Sequence, residues 1–402
     1  MSQYLEVFNT LTRRKERFQP LEPGKVRMFV CGPTVQSLIH IGHARTYVFY
    51  DVVARYLAHL GYEVTFLMNV TDVDERITQA AADSNEDPVA LARRFTASFR
   101  EDMTSLKNAT VTRFEPVSGH VQTMVQQVAT LIHRGRAYAA DGWVYFDTTT
   151  FPSFGRLSHQ SKRDLSLRPF ELSPKKRHLA DFGLWRPEVL LEGRWESPWG
   201  VGSPGWHIQD TAVTLSILGP QYDIHGGAYE LVYPHHEAEI AQAESLTGVR
   251  PVVKYWIHTS LVNMKGRKMS KSLGNVLTVR DAQREFSADE LRIFLLGTHY
   301  RKDMGLKGMD AAAKRFQAMR RAAEGTAGDI GFDSGKPRGP KRLRPFESAM
   351  NDDFDTPRAI SWVEKTLKEA ERGRDPGRRT TQLESAVAAL RILGVDLFAE
   401  AK

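Results

Sequence analysis

The sequence predicts an α/β protein: a Rossmann-type parallel sheet with an inserted subdomain, followed by a C-terminal helical bundle. Three observations predict it. Near the N-terminus an apolar run, a helical pattern and a second apolar run follow one another. A Trp- and Pro-rich stretch interrupts the middle of the chain. A Gly- and Pro-rich stretch then precedes a last helical region.

Val26 to Cys31 (VRMFVC) is short, apolar and closed by Gly32-Pro33-Thr34, which reads as a buried strand and a turn. From His43 to Leu60 the residues Val48, Val52, Val53, Tyr56, Leu57 and Leu60 recur at helical spacing. Glu63 to Val70 (EVTFLMNV) is a second buried strand. Strand, helix and strand within about 45 residues form a βαβ unit and require a parallel sheet. Ligands of such sheets sit at the C-terminal strand ends, where Cys31 and Asn69 to Asp74 fall.

Residues 90–140 read as mostly helical. Residues 142–210 are rich in Trp, Pro, Ser and charge, with strand candidates such as Trp143 to Phe146, and read as part of an insertion at about 115–205 within a first domain, 1–324. Gly325 to Pro345 holds five Gly and three Pro and reads as a linker. Residues 346–402 read as a small helical bundle broken by a basic loop, Gly373 to Arg379.

The 402 residues exceed one compact core. No apolar run reaches the ~20 residues of a membrane span, so no membrane partner is expected. Arg13, Arg14, Lys15 and Arg17 occupy the place of a signal peptide's apolar stretch, so a cytoplasmic location is the expectation. The single cysteine, Cys31, excludes an intramolecular disulfide and a four-thiolate metal site. Net charge is +7, and residues 301–402 carry 21 Lys/Arg against 16 Asp/Glu. That surplus fits either a solvated tail or a surface for nucleic-acid phosphates.

His40-Ile41-Gly42-His43 lies where the first long helix begins. A helix N-terminus offers N–H groups and partial positive charge, and Gly42 lets a ligand approach the backbone. Two imidazoles at i and i+3 share a face of the first turn. The arrangement suits a nucleotide phosphate; on this segment alone, a helix cap with two solvated histidines is the simpler reading. Lys268-Met269-Ser270-Lys271-Ser272 sets two ammonium groups three residues apart, able to close on a triphosphate and stabilise charge on leaving pyrophosphate.

Together HIGH (40–43) and KMSKS (268–272) resemble the paired signatures of class I aminoacyl-tRNA synthetases. Within that class the chain closely resembles the cysteinyl-tRNA synthetases, through CGPTV (31–35), HARTYVFYD (43–51), NVTDVDERI (69–77), GWHI (205–208), DIHGG (223–227), PHHEAEIAQ (234–242), HYR (299–301) and NDDFDTP (351–357). The resemblance runs from about Leu5 to the end. It implies a two-step ligase that forms an aminoacyl adenylate from ATP, then transfers the aminoacyl group to tRNA. His40, Gly42 and His43 would meet the ATP phosphates, Lys268 and Lys271 would close over pyrophosphate, and Mg2+ would accompany ATP. Thr34, Thr71, Trp206 and His207 would line the amino-acid pocket.

The resemblance also implies zinc held by two cysteines, a histidine and a glutamate. Three map onto Cys31, His235 and Glu239. The fourth departs: the family reads GWHIEC where this chain reads Gly205 to Asp210 (GWHIQD), so Asp210 stands in place of a cysteine. Either a harder site is retained, since Asp binds zinc through oxygen, or zinc is lost and a polar pocket remains. Gln36-Ser37 replaces the usual Tyr-Asp before HIGH, and Ser203 replaces the usual Arg. A small anticodon-reading domain is expected to be absent after the bundle. In that truncation the chain resembles the ligase that joins cysteine to an amino sugar in mycothiol synthesis. The alternatives are therefore a ligase for a small amine and a non-catalytic RNA-binding paralogue; the leading reading is a monomer that activates cysteine and charges tRNA.

Overall fold

A computed structural model describes residues 4–161, 164, 175–187, 195–264, 267–268, 276–332 and 343–399. The chain opens with an antiparallel hairpin, β1 (Glu6–Asn9) and β2 (Arg14–Arg17). β3 (Lys25–Val30), α1 (Ile41–His59) and β4 (Glu63–Val70) then form the expected βαβ unit, with β3 and β4 parallel from Lys25↔Glu63 to Val30↔Met68. The last three residues of β3 and the last five of β4 are buried, as in a parallel sheet covered on both faces. α1 begins two residues before the predicted His43 because His40 caps it. α2 (Glu75–Ser84) and α3 (Pro88–Ser105) start at the caps Asp74 and Asp87, each of which accepts a backbone N–H.

Residues 90–140 are mostly helical, as expected, with two short strands among the helices. β5 (Arg113–Pro116) adds a fifth strand parallel to β4, and β6 (Ala137–Ala140) follows α4 (Val121–His133). Four residues at a sheet edge, ended by a proline, carry no apolar alternation to reveal them. β6, β7 (Trp143–Phe146), β8 (Phe182–Arg186) and β9 (Ser203–Pro204) make a four-stranded antiparallel sheet. Its core residues Phe146, Phe182 and Trp185 share one apolar cluster with Phe29, Leu67 and Trp256 of the main sheet, so the insertion is packed onto the Rossmann half.

The chain returns through α5 (Trp206–Ile217), β10 (Tyr222–Ala228), α6 (Glu237–Thr247) and β11 (Val253–Thr259). The main sheet has the order β11-β10-β3-β4-β5, all parallel. Strand order reverses between β3 and β10, which places the ligand crevice above their C-terminal ends. Gly226 on β10 is required there: a Cβ would stand 2.3 Å from the Tyr50 ring of α1.

β12 (Val262–Met264), β13 (Arg267–Lys268) and β14 (Met304–Gly305) form a small sheet beside the crevice. The short helix α7 (Val279–Ala282) is the next described helix, then α8 (Ala288–Leu296). α9 runs from Met309 to Ile330, so the predicted linker is corrected: Gly325 to Ile330 is helical. Gly325 and Gly328 have open space where a side chain would stand, while Ala322, Ala323 and Thr326 carry the buried stripe. The remainder of the predicted linker, 333–342, lies outside the described residues.

α10 (Arg344–Met350), α11 (Thr356–Arg372) and α12 (Pro376–Ile392) form the terminal helices. The predicted basic loop shrinks to Gly373–Asp375, because Asp375 caps α12 and Pro376 fits its first turn. Phe346, Phe354 and Leu390 join Phe49 and Tyr56 of α1 in one core. Arg292 of α8 locks this junction. Its buried guanidinium meets Asp51 at 2.6 Å and donates to the carbonyls of Leu106 and Leu393. Among the described residues no helix is long and apolar enough to cross a membrane.

Candidate active site and metal centre

The crevice at the switch point is a cleft of about 420 Å³, with Cys31, Thr34, His40, His43, Trp206 and Leu261 in its wall. The two histidines cap α1 reciprocally. His43 N–H donates to His40 Nδ1 and His40 N–H to His43 Nδ1, each at 3.3 Å, and the rings stack with centroids 3.8 Å apart. The expectation of free N–H groups is corrected: Ile41 N–H donates to Leu277 O at 3.0 Å and His43 N–H is used by the cap. Gly42 N–H is the first-turn amide that neither bond uses.

Those bonds also tie HIGH to the chain beyond KMSKS. His40 and Thr278 form an antiparallel bridge, and Val279 N–H donates to Ile39 O at 3.1 Å. On the other side, Lys268 pairs with Asn263 and Val262 with Met304. Both flanks of the second signature are therefore held beside the N-terminus of α1. The backbone of Lys268 lies in β13; Lys271 lies outside the described residues.

Thr34 and Thr71 form a parallel bridge across the ends of β3 and β4. Thr34 and Trp206 face the cleft. Thr71 and His207 are buried behind them: Asn69 Nδ2 donates to Thr71 Oγ1, and His207 Nδ1 lies 2.9 Å from His235 Nδ1. Trp206 stacks on His235 with centroids 4.1 Å apart. Arg76 escapes the sequence reading although it stands inside NVTDVDERI. It donates to Thr34 Oγ1 at 3.0 Å and lies over the Trp206 ring.

Cys31, Asp210, His235 and Glu239 do converge, with ligand atoms all within 4.8 Å of one another. Cys31 Sγ donates to Asp210 Oδ2 at 3.2 Å, His235 Nε2 stands 3.0 Å from the same oxygen, and Glu239 Oε1 stands 3.3 Å from His235 Nε2. Asn69 Nδ2 holds the other Asp210 oxygen at 2.7 Å. His235 sits in a π-type turn, Val232–His236, ahead of α6, and the i, i+4 spacing still brings it to Glu239.

Sequence reasoning misses a second set around the same sulfur: Cys31, His225, His236 and Glu239 also satisfy the convergence. His236 Nε2 lies 3.1 Å from Cys31 Sγ and His225 Nε2 lies 3.6 Å from it. Both histidines stand in quoted motifs, DIHGG and PHHEAEIAQ, so their signal was present. Their other ring nitrogens are engaged too. His225 Nδ1 lies 2.7 Å from Tyr222 OH, and His236 Nδ1 lies 2.8 Å from His258 Nε2, whose Nδ1 reaches Thr10 Oγ1 at 2.7 Å.

The electrostatics fit a divalent cation. Burial, then the charges of Asp210 and Glu239, push the Cys31 thiol well up. Burial and Asp210 push the Glu239 carboxyl well up. Burial holds the His207, His225 and His236 imidazoles well below their usual range and neutral, with His258 down to about 3. Glu239 Oε1 has no hydrogen-bond partner among the described residues. A dication would reverse the penalty on the thiolate and carboxylate, and neutral imidazoles are the form that ligates it.

Comparisons with known proteins agree with this layout. Residues 17–314 match the family described as tRNA synthetases class I (C) catalytic domain, and residues 345–397 match the DALR domain. A cysteine–tRNA ligase of Pelotomaculum thermopropionicum is 44% identical over 378 residues, covering 91% of this chain and 78% of the relative. That of Alkalilimnicola ehrlichii is 42% identical over 394 residues, covering 97% and 84%. Among solved structures, Mycobacterium tuberculosis methionyl-tRNA synthetase in complex with methionyl-adenylate shares the fold at 16% identity, with a TM-score of 0.67 over 92% of this chain and 90% of that one.

Proposed function

The chain belongs to the class I (C) tRNA synthetases, and from that premise we propose that it activates cysteine with ATP and transfers it to tRNA. It is an aminoacyl-tRNA ligase. One observation supports the assignment of roles: the His40–Thr278 bridge ties the HIGH turn to the chain beyond KMSKS, beside the cleft that Cys31 lines.

The reaction needs orientation and charge stabilisation more than a protein nucleophile. The α-phosphate of ATP would be met at the N-terminus of α1, by Gly42 N–H and by Nε2 of His40 and His43. Lys268 and Lys271 would neutralise charge on the departing pyrophosphate, with Mg2+ bound to the nucleotide. Thr34 and Trp206 would hold the amino acid, with Thr71 and His207 fixing them from behind and Arg76 bracing them from the cleft wall. Zinc, when bound, would offer the substrate sulfur a Lewis-acid partner that prefers a thiolate to a hydroxyl. Cys31 and Glu239 belong to both donor sets; His235 is the further ligand that the family's pattern supports, and Asp210 stands where that pattern has a second cysteine. The DALR match, rather than the charge of the tail, supports tRNA as the acceptor. We infer a cytoplasmic location, in keeping with the tRNA-charging reading.

The test is amino-acid-dependent ATP–pyrophosphate exchange across the twenty amino acids, followed by charging of tRNA. Exchange with cysteine and charging of tRNA are expected. Exchange followed by transfer only to a small amine would overturn the acceptor, and no exchange with any amino acid would overturn the activity.

A further inference from the structure

Arg45 of α1 is among the largest fully buried side chains, and its contacts are unusual for a cation. Its guanidinium donates to five backbone carbonyls: Ser260 at 3.1 Å, Leu261 at 2.8 Å, His299 at 3.2 Å, Tyr300 at 3.5 Å, and Lys302. Asp303 is the carboxylate whose charge reaches it. Burial lowers its pKa to about 10, which leaves it charged at neutral pH. Charge of this kind is costly to bury, and a simpler core would use an apolar residue.

The five carbonyls belong to two segments. Ser260 and Leu261 immediately precede β12, the strand that pairs with Lys268. His299, Tyr300 and Lys302 immediately precede β14, the other partner of β12. Asp303 fastens the same junction from outside: it accepts from Ser260 Oγ and from Leu261 N–H. Arg45 itself stands two residues after His43. One planar fork thus joins the first turns of α1 to the root of the hairpin that carries Lys268.

We infer that Arg45 is a positioning residue, setting the β12–β13 hairpin, which carries Lys268, relative to the HIGH turn so that both meet the same triphosphate. The inference rests on the reading of those two segments as the ATP site. Lysine keeps the charge but has three donors on one nitrogen instead of a planar fork of five, too few to hold all five carbonyls. Arg45 touches no substrate; it acts through the hairpin.

The experiment compares wild type with Arg45→Lys by two measurements. In pyrophosphate exchange, kcat should fall at least tenfold while the KM for cysteine stays within twofold. By hydrogen exchange of the free protein, the amides of Ser260–Met264 should lose at least tenfold protection while those of Val48–Leu57 in α1 keep theirs. Loss spread equally over α1 and the hairpin would reduce Arg45 to a packing residue and overturn the proposal. Unchanged kcat with unchanged hairpin protection would overturn it too. A wild type inactive in exchange would sink the ATP-site reading instead, and the protection pattern would still decide whether Arg45 holds the hairpin.

Discussion

Cys31 Sγ and Asp210 Oδ2 stand 3.2 Å apart in a fully buried cluster, and His235 Nε2 reaches the same oxygen at 3.0 Å. The aspartate, at the sequence position where the family's pattern has a second cysteine, lies one turn into α5, with Asn69 holding its other oxygen. The centre offers one sulfur, one nitrogen and two oxygens from this set, which is a harder environment than a two-thiolate site.

Metal content tests that arrangement. Asp210→Ala should weaken zinc binding by about tenfold or more, the usual effect of losing a ligand or its support. Asp210→Cys should keep one ion per chain and intensify the thiolate-to-metal band of the cobalt-substituted protein. Full-affinity zinc in Asp210→Ala, with loss in His225→Gln, would hand the site to Cys31, His225, His236 and Glu239.

Alkylation reports on the sulfur directly. The buried Cys31 thiol is pushed up, so in metal-free folded protein it should react with iodoacetamide about a hundredfold more slowly than free cysteine at pH 7.5. A rate equal to free cysteine would show that the cluster is open to solvent.

Lys271→Ala should lower pyrophosphate exchange at least about tenfold, as loss of a transition-state charge partner does. The thermal midpoint should not move. An unaltered exchange rate would remove Lys271 from the mechanism.

Acid stability should follow Asp51. Burial alone would raise its pKa, but the charges and hydrogen bonds of Arg292 and Arg55 outweigh burial and lower it. A carboxyl depressed in the folded state contributes stability that is complete above its unfolded pKa, about 3.9, and is lost as pH falls through the folded value. Asp51→Asn should be destabilised at pH 7 by about 3–5 kcal/mol, because Arg292 is left buried and unpaired. The gap to wild type should then narrow below pH 4. A gap constant from pH 7 to pH 3 would refute the account.

Gly226→Ala should destabilise the protein by about 1–3 kcal/mol through overpacking on Tyr50. Denaturant melts of this variant beside Tyr50→Phe, which keeps the ring, would show whether the ring or its hydroxyl sets the limit.

Much of the central sheet was legible because its signals are local. β4 occupies the predicted span, Glu63–Val70, since a buried parallel strand is a continuous apolar run. β5 was hidden because four edge residues carry no such run. The helix through Gly325 and Gly328 was hidden because composition reports a glycine but not the open space around it. At the site, resemblance nominated Cys31, Asp210, His235 and Glu239, and the fold brings them together. His225 and His236 were missed because their approach to Cys31 depends on how β10 and the turn before α6 lie against β3. Arg45 was missed for the opposite reason: its partners are backbone carbonyls, which no side-chain pattern reveals.

The N-terminal hairpin has a consequence for how the protein is made. β1 is bonded to the far end of the chain: Glu6 N–H donates to Asn351 O, and Phe8 N–H donates to Asp353, 345 residues away. At roughly 5–20 residues per second, a ribosome delivers that partner roughly 20–70 s after β1 emerges. For that interval a nascent chain holds an unfinished strand edge, open to a chaperone or a neighbouring chain. β1 is made early and completed late, its last backbone partners arriving only with Asn351 and Asp353.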